Sequence, residues 1–162
     1  MVNIKETNLQ FGNMATHSNI SKIVFHHVGD PARDVSAAEI HGWHVLNGWA
    51  GIGYHYVIRR GGTIERGRPE KYVGAHAYRH NTGSIGINLA GNMDKMEPTQ
   101  EQTESAAMLL ADICTRYGLT PTASTVVGHC DLMATACPGK NLYAILQTIR
   151  GKAIWYQQQE AV

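Results

Sequence analysis

The sequence predicts a single α/β domain with a central mixed β-sheet flanked by α-helices. Three observations carry this. Segments with strand character alternate with amphipathic helical stretches, a pattern that packs helices against a sheet. The 162 residues make one domain, and no repeat, low-complexity tract or Pro/Ser-rich linker divides them. Hydrophobic residues make up 43% and charged residues 17%, so there is apolar matter for a core and too little charge for a disordered chain.

The elements follow in order. Residues 1–21 are polar and weakly patterned and read as an N-terminal arm; the folded domain spans 22–151 and a tail 152–162. Residues 22–28 (KIVFHHV) have the β-branched and aromatic density of a buried strand. Ser36 and Glu39 form a capping box that opens a helix through Ile40, Trp43 and Leu46, closed near Gly48. Residues 53–58 (GYHYVI) read as a strand, turned at Arg60-Gly61-Gly62-Thr63 into a short partner at 63–66. Ile85, Ile87 and Leu89 alternate with Ser84, Gly86 and Asn88, the period of another strand. Thr99 and Gln102 form a second capping box. The helix after it carries Ala106, Leu109, Leu110, Ile113, Cys114 and Tyr117 on one stripe and closes at Gly118. A strand at 125–128 ends at His129, and a last helix over 142–149 stops at Gly151.

Lys+Arg 14 against Asp+Glu 13 leaves a formal charge of +1. That balance excludes a general attraction to nucleic acid or acidic membranes, although a small basic patch fits within it. No apolar run approaches the roughly 20 residues of a membrane span, and residues 1–10 lack the apolar core of a signal peptide. Nine histidines and three cysteines raise the prospect of a metal site and argue against a disulfide framework.

The strongest local candidates are His129, where a strand runs out, and Cys137, just before a Pro-Gly turn. The loop between them can fold back so that imidazole and thiolate converge, as zinc requires. A third ligand comes from a neighbouring strand. His26 and His27 both end the first one, and strand alternation sends them to opposite faces, so pattern alone leaves the choice open. His41 and His44 read as helix-surface residues, His55 as a hydrogen-bonded core histidine and His17 as part of the exposed arm. His76 and His80 lie in a Gly/Asn-rich loop. Cys114 falls on an apolar stripe, and Cys130 points away from His129. No G-x-S-x-G elbow, dinucleotide loop or Walker lysine occurs.

Five segments in order then become recognisable: Ile23 to His27, Gly48-Trp49 to Tyr56, Gly62-Thr63 to Pro69, Val73 to Ala77 with Asn81 and Ser84-Ile-Gly86, and Gly128-His129 to Cys137-Pro138-Gly139. Together they resemble the zinc-dependent N-acetylmuramoyl-L-alanine amidases of the phage-lysozyme type, a family shared with animal peptidoglycan recognition proteins. The resemblance implies an amidase fold with a mixed sheet and a Zn²⁺ held by His26, His129 and Cys137, with His27 as runner-up to His26. It implies Tyr54 and Thr135 as catalytic residues, and His76 and Asn81 as residues facing substrate. The activity implied is cleavage by zinc-activated water of the amide joining muramic acid to L-alanine in peptidoglycan. The lack of a signal peptide fits a monomeric phage or prophage endolysin that accumulates in the bacterial cytoplasm and acts on the wall, and fits equally an excised catalytic domain whose wall-binding module was removed. Asp131 is left to buttress the ligand loop, orient a histidine or cap a turn. The rival readings are a peptidoglycan-binding protein without hydrolysis, a zinc peptidase acting within the stem, and a His₂Cys copper site with Met133 as the fourth ligand.

Overall fold

The computed structural model describes residues 2–161. Its sheet has six strands: β1 (Ile4–Lys5), β2 (Lys22–His27), β3 (Tyr56–Ile58), β4 (Ile64–Arg66), β5 (Ser84–Leu89) and β6 (Val126–Gly128). They lie in the order β1-β4-β3-β5-β2-β6. Only β3 and β4 run antiparallel, as the expected hairpin; the other neighbours are parallel. β2 and β5 are buried nearly throughout because helices cover both faces, which is how parallel strands come to lack an exposed polar side.

One face carries α2 (Gln100–Tyr117) and α4 (Leu146–Glu160), with the short α3 (Lys140–Ala144) at its end. Ile23, Phe25, Ile85, Ile87 and Leu89 from the sheet pack there on Leu109, Leu110, Ile113, Leu146 and Ile149. The other face carries α1 (Ala37–Leu46), where Ala37 and Ile40 join Val35, Ile52 and Val57 in a smaller core. Both expected capping boxes form, at Ser36 with Glu39 and at Thr99 with Gln102. Gly118 ends α2 at φ 68°, a conformation that costs glycine little. Gln102 is also fully buried, and its amide donates to Ile58 O (3.1 Å) and Ala90 O (2.9 Å), tying α2 to the ends of β3 and β5.

Four expectations need correction. The last helix does not stop at Gly151: α4 continues to Glu160, since Ile149 and Ala153 bury against α2 and Lys152 and Tyr156 both reach Glu104. These contacts outweigh the cost of about 1 kcal/mol for an interior glycine. The N-terminal residues are docked. Ile4–Lys5 adds an edge strand to β4, Gly12 N donates to Ala50 O, and Thr16 bridges Tyr72. His17, expected to be exposed, accepts from Gly83 N at Nδ1 and donates from Nε2 to Glu70 O, both at 2.9 Å. β3 begins at Tyr56 rather than at residue 53, because Gly53–His55 bonds instead to Ala75, Gly67 and Arg68.

The fourth concerns α1. The helix runs through Ile40, Trp43 and Leu46 as expected, but Leu46 is 86% exposed and Trp43 36%. The inward positions go to His41 and His44, whose Nδ1 atoms accept from Ile52 N (3.0 Å) and Gly53 N (2.9 Å). The glycine-rich loop before Tyr54 has backbone N–H groups that need acceptors, and neutral imidazoles supply them. Arg68 completes the clamp by donating to Gly51 O, Ile52 O and Val73 O.

Candidate metal centre

β2, β5 and β6 run parallel, and the centre lies where β2 and β6 end at their carboxyl edge, the usual place for a site in an open α/β sheet. Alternation along β2 puts Phe25 into the larger core and His26 on the α1 side. His129 is the first residue after β6, on a 3₁₀ turn running to Asp131. Asp131 holds that turn: it accepts from Gly128 N at 2.9 Å and from the Tyr143 hydroxyl at 2.6 Å. Of the roles open to Asp131, it takes the structural one. Cys137 closes the loop ahead of a cis Pro138.

His26, His129 and Cys137 each present one ligand atom, all within 4.8 Å of one another. His26 Nδ1 lies 3.4 Å from Cys137 Sγ. His129 Nδ1 is buried and has no hydrogen-bond partner, while its Nε2 faces Met133 Sδ at 3.1 Å. A tetrahedral ion with bonds of roughly 2.0–2.3 Å holds its donors roughly 3.3–3.8 Å apart, so modest side-chain adjustment completes the set. An orphaned buried imidazole nitrogen beside a thiol is the signature of a site built for a cation, because burial without a partner is otherwise costly. The set leaves room for further ligands, and a metal ion fits it.

The electrostatics agree. Burial drives His26 well below its ordinary value, with neighbouring His129 adding to the effect, so the imidazole is neutral. Burial likewise lowers His129. Burial pushes the Cys137 thiol up to about 12, against an opposing bond from the His27 backbone. A thiolate there therefore calls for a cation beside it. His27 takes no part in the set: its Nδ1 accepts from Met93 N at 2.9 Å on the opposite face.

The other predicted site residues divide. Tyr54 lies beside the ligands, its ring centroid 5.0 Å from that of His26. Burial, then the neighbouring Cys137, pushes its phenol well above its ordinary value, with the Asn88 amide acting the other way. Thr135 sits on the ligand turn and accepts from Cys137 N at 3.2 Å, leaving its O–H free to donate. Asn81 and His76 line a cavity of about 280 Å³ with His129, Met133, Trp49 and Tyr78. Asn81 Oδ1, however, is taken by the backbone N–H groups of His76 (2.9 Å) and Ala77 (2.8 Å). His76 is only 7% exposed and sits behind His26. Met133 contacts the nitrogen of His129 opposite the orphaned one, an arrangement that does not make it the fourth ligand of a copper site.

Three contributors escaped sequence reasoning: Trp49, whose ring packs on His44 at 4.5 Å, Asn88 beside Tyr54, and Ser84. Asn88 and Ser84 had a usable signal, since they are polar residues in a strand covered on both faces.

The buried histidines also set acid stability. His55 donates from Nε2 to Tyr72 O and accepts from Gly86 N at Nδ1, and burial lowers its pKa to about 4. The unfolded chain binds that proton near pH 6.5 and the folded one does not, so stability is intact above pH 6.5 and falls as pH drops towards 4. The loss reaches about 3 kcal/mol. Melting in the presence of chelator should fall by about 6–12 °C across that range, and less steeply in His55→Gln. A flat profile would contradict the assignment.

Comparison with known proteins agrees with the geometry. The family model described as N-acetylmuramoyl-L-alanine amidase matches residues 16–140. The endolysin of Enterobacteria phage T3 is 38% identical over 117 residues, covering 69% of this chain and 75% of the relative. That of Klebsiella phage KP32 is 37% identical over 114 residues, covering 67% and 73%. Among solved structures, the N-acetylmuramoyl-L-alanine amidase LysC from Clostridium intestinale URNW superposes with a TM-score of 0.85 at 34% identity, covering 94% of this chain and 97% of that one. Drosophila peptidoglycan recognition protein SD gives 0.80 at 25%, covering 91% and 94%. With a family match over most of its length and relatives of this similarity, the chain belongs to the N-acetylmuramoyl-L-alanine amidase family and is a peptidoglycan amidase.

Proposed function

We propose that this amidase works with zinc held by His26, His129 and Cys137, and that it serves as a phage or prophage endolysin. The observation that supports the metal reading is the meeting of His26 Nδ1 and Cys137 Sγ beside the orphaned His129 Nδ1. Two neutral imidazoles and one thiolate are a zinc donor set, and they leave a position for water and substrate. When bound, zinc supplies a Lewis acid that lowers the pKa of water towards about 7 and polarises the amide carbonyl.

The chain's own residues do the rest. Tyr54, kept protonated by burial, offers its O–H to the oxyanion as the carbonyl turns tetrahedral or to the departing L-alanine nitrogen. Thr135 offers a second, neutral hydrogen bond from the ligand turn. Trp49, Tyr78 and Asn81 border the cavity beside His129, where the muramyl peptide lies. The protein acts as a monomer, is held in the host cytoplasm before lysis and reaches the wall as the membrane is breached. The relatives matched at 37% and 38% identity are phage endolysins, and among the described residues no helix is long and apolar enough to cross a membrane.

Digestion of purified walls tests the reading. New amino ends on L-alanine should appear without new reducing sugar. New ends within the stem would reassign the chain to a peptidase, and binding to walls without release of ends would make it a receptor.

A further inference from the structure

We infer that His76 is a positioning residue for the metal centre, one that fixes the tautomer and ring orientation of His26. The inference rests on the metal reading above and moves His76 from the substrate to the support of a ligand.

The side chain is held on every side. Its backbone N–H is pinned by Asn81 Oδ1 at 2.9 Å. Two glycines make room for the ring: a Cβ on Gly86 would lie 2.6 Å from His76 Cγ, and one on Gly74 would lie 2.6 Å from His76 Cδ2. At one end, Nδ1 lies 2.9 Å from His26 Nε2, the two rings meeting edge to face at 89°. At the other end, Nε2 lies 3.1 Å from Ser84 Oγ. Ser84 Oγ in turn lies 2.7 Å from His80 O and 3.0 Å from Asn81 O.

Those two carbonyls set the direction of the whole chain of bonds. A carbonyl oxygen only accepts, so the Ser84 proton goes to one of them. The reverse arrangement would press two carbonyl oxygens against a hydroxyl oxygen with no proton between. Ser84 Oγ must then accept from His76 Nε2–H, which leaves a lone pair on His76 Nδ1. That lone pair accepts from His26 Nε2–H, and His26 is left with its lone pair on Nδ1, the atom facing Cys137 Sγ. The relay thus presents His26 to a metal in the ligating tautomer, in a pocket that leaves the ring one orientation.

The partner behind a metal-bound histidine is commonly a carboxylate or carbonyl. A neutral imidazole provides the acceptor here without adding a negative charge. With one thiolate in the set, a divalent ion keeps a net charge of +1, and its pull on water is preserved.

Zinc affinity and the tautomer of His26 together test this in the full-length protein. His76→Leu keeps the volume and removes the acceptor, and it should weaken zinc binding, measured against a fluorescent chelator, by about 10–100-fold. His76→Gln, which can still accept from His26 and donate to Ser84, should restore affinity to within about threefold of native, a rescue that packing alone would not give. Ser84→Ala should fall between the two. Long-range ¹H–¹⁵N spectra of the zinc-free native protein should show His26 protonated at Nε2 alone, and a mixture of tautomers in His76→Leu. Native affinity in a folded His76→Leu, or an unchanged His26 tautomer, overturns the inference. If His76→Leu fails to fold, native affinity and tautomer in Ser84→Ala overturn it instead. A native protein that takes up no zinc overturns the metal reading, while the tautomer spectra still decide the role of His76.

Discussion

Replacement of Cys137 by serine should strip the protein of zinc and lower amidase turnover at least about a thousandfold. The sulfur is the only donor in the set able to carry a negative charge, and it touches His26 Nδ1 at 3.4 Å. A serine hydroxyl has nearly the same shape but stays protonated at neutral pH and binds zinc poorly. A Lewis acid at an acyl centre is worth several kcal/mol of transition-state stabilisation, and each 1.4 kcal/mol is a factor of ten. Elemental analysis and the release of L-alanine amino ends measure the two losses together. A zinc-free variant that kept a tenth of the native rate would show that the metal is not the catalyst. Melting of the chelated proteins should differ little, since the exchange hardly changes packing at a half-buried side chain.

Tyr54→Phe should separate binding from chemistry. The ring stays between His26 and His44, with centroids 5.0 and 5.8 Å away, so the packing is retained and only the hydroxyl goes. Zinc content should be unchanged and kcat should fall about 10²–10³-fold, the loss seen when one donor to a developing oxyanion is removed. KM should move little, because the phenol stabilises charge that exists only on the way to products. A variant with native kcat would remove Tyr54 from the reaction. One that lost zinc as well would make it a structural support of the ligands.

Much of the fold could be read locally. Both capping boxes, the αL glycine at Gly118, the β3–β4 hairpin and the alternation in β5 each follow from a few neighbouring residues, and each appears as expected. The errors share a different origin. Gly151 looks like a helix stop until α2 covers Ile149 and Ala153. The residues before Lys22 look like a loose arm until the exposed edge of β4 takes Ile4–Lys5 as a partner. His41 and His44 look like surface residues until the loop at Ile52 and Gly53 presents backbone donors to them. In each case the deciding partner lies outside the segment being read, whether nine residues on, as Gly53 is from His44, or on another strand or helix.

The site divides along the same line. From the residues alone, His129 and Cys137 stood out as ligands because a strand end and a Pro-Gly turn enclose them, and a third ligand was expected from the end of β2. Local chemistry stops there, since alternation guarantees only that His26 and His27 face opposite ways. Resemblance chose His26. In three dimensions the reason is physical: His27 turns to the face where Met93 N supplies a donor, and His26 turns to the face where Cys137, Tyr54 and His76 converge. The sequence by itself determined the layered α/β architecture and pointed to the candidate donor types and two of their positions. Tertiary structure alone decided which nitrogens of His26, His27 and His129 are taken, because that depends on partners such as His76, Met93 and Met133 that the fold brings to them.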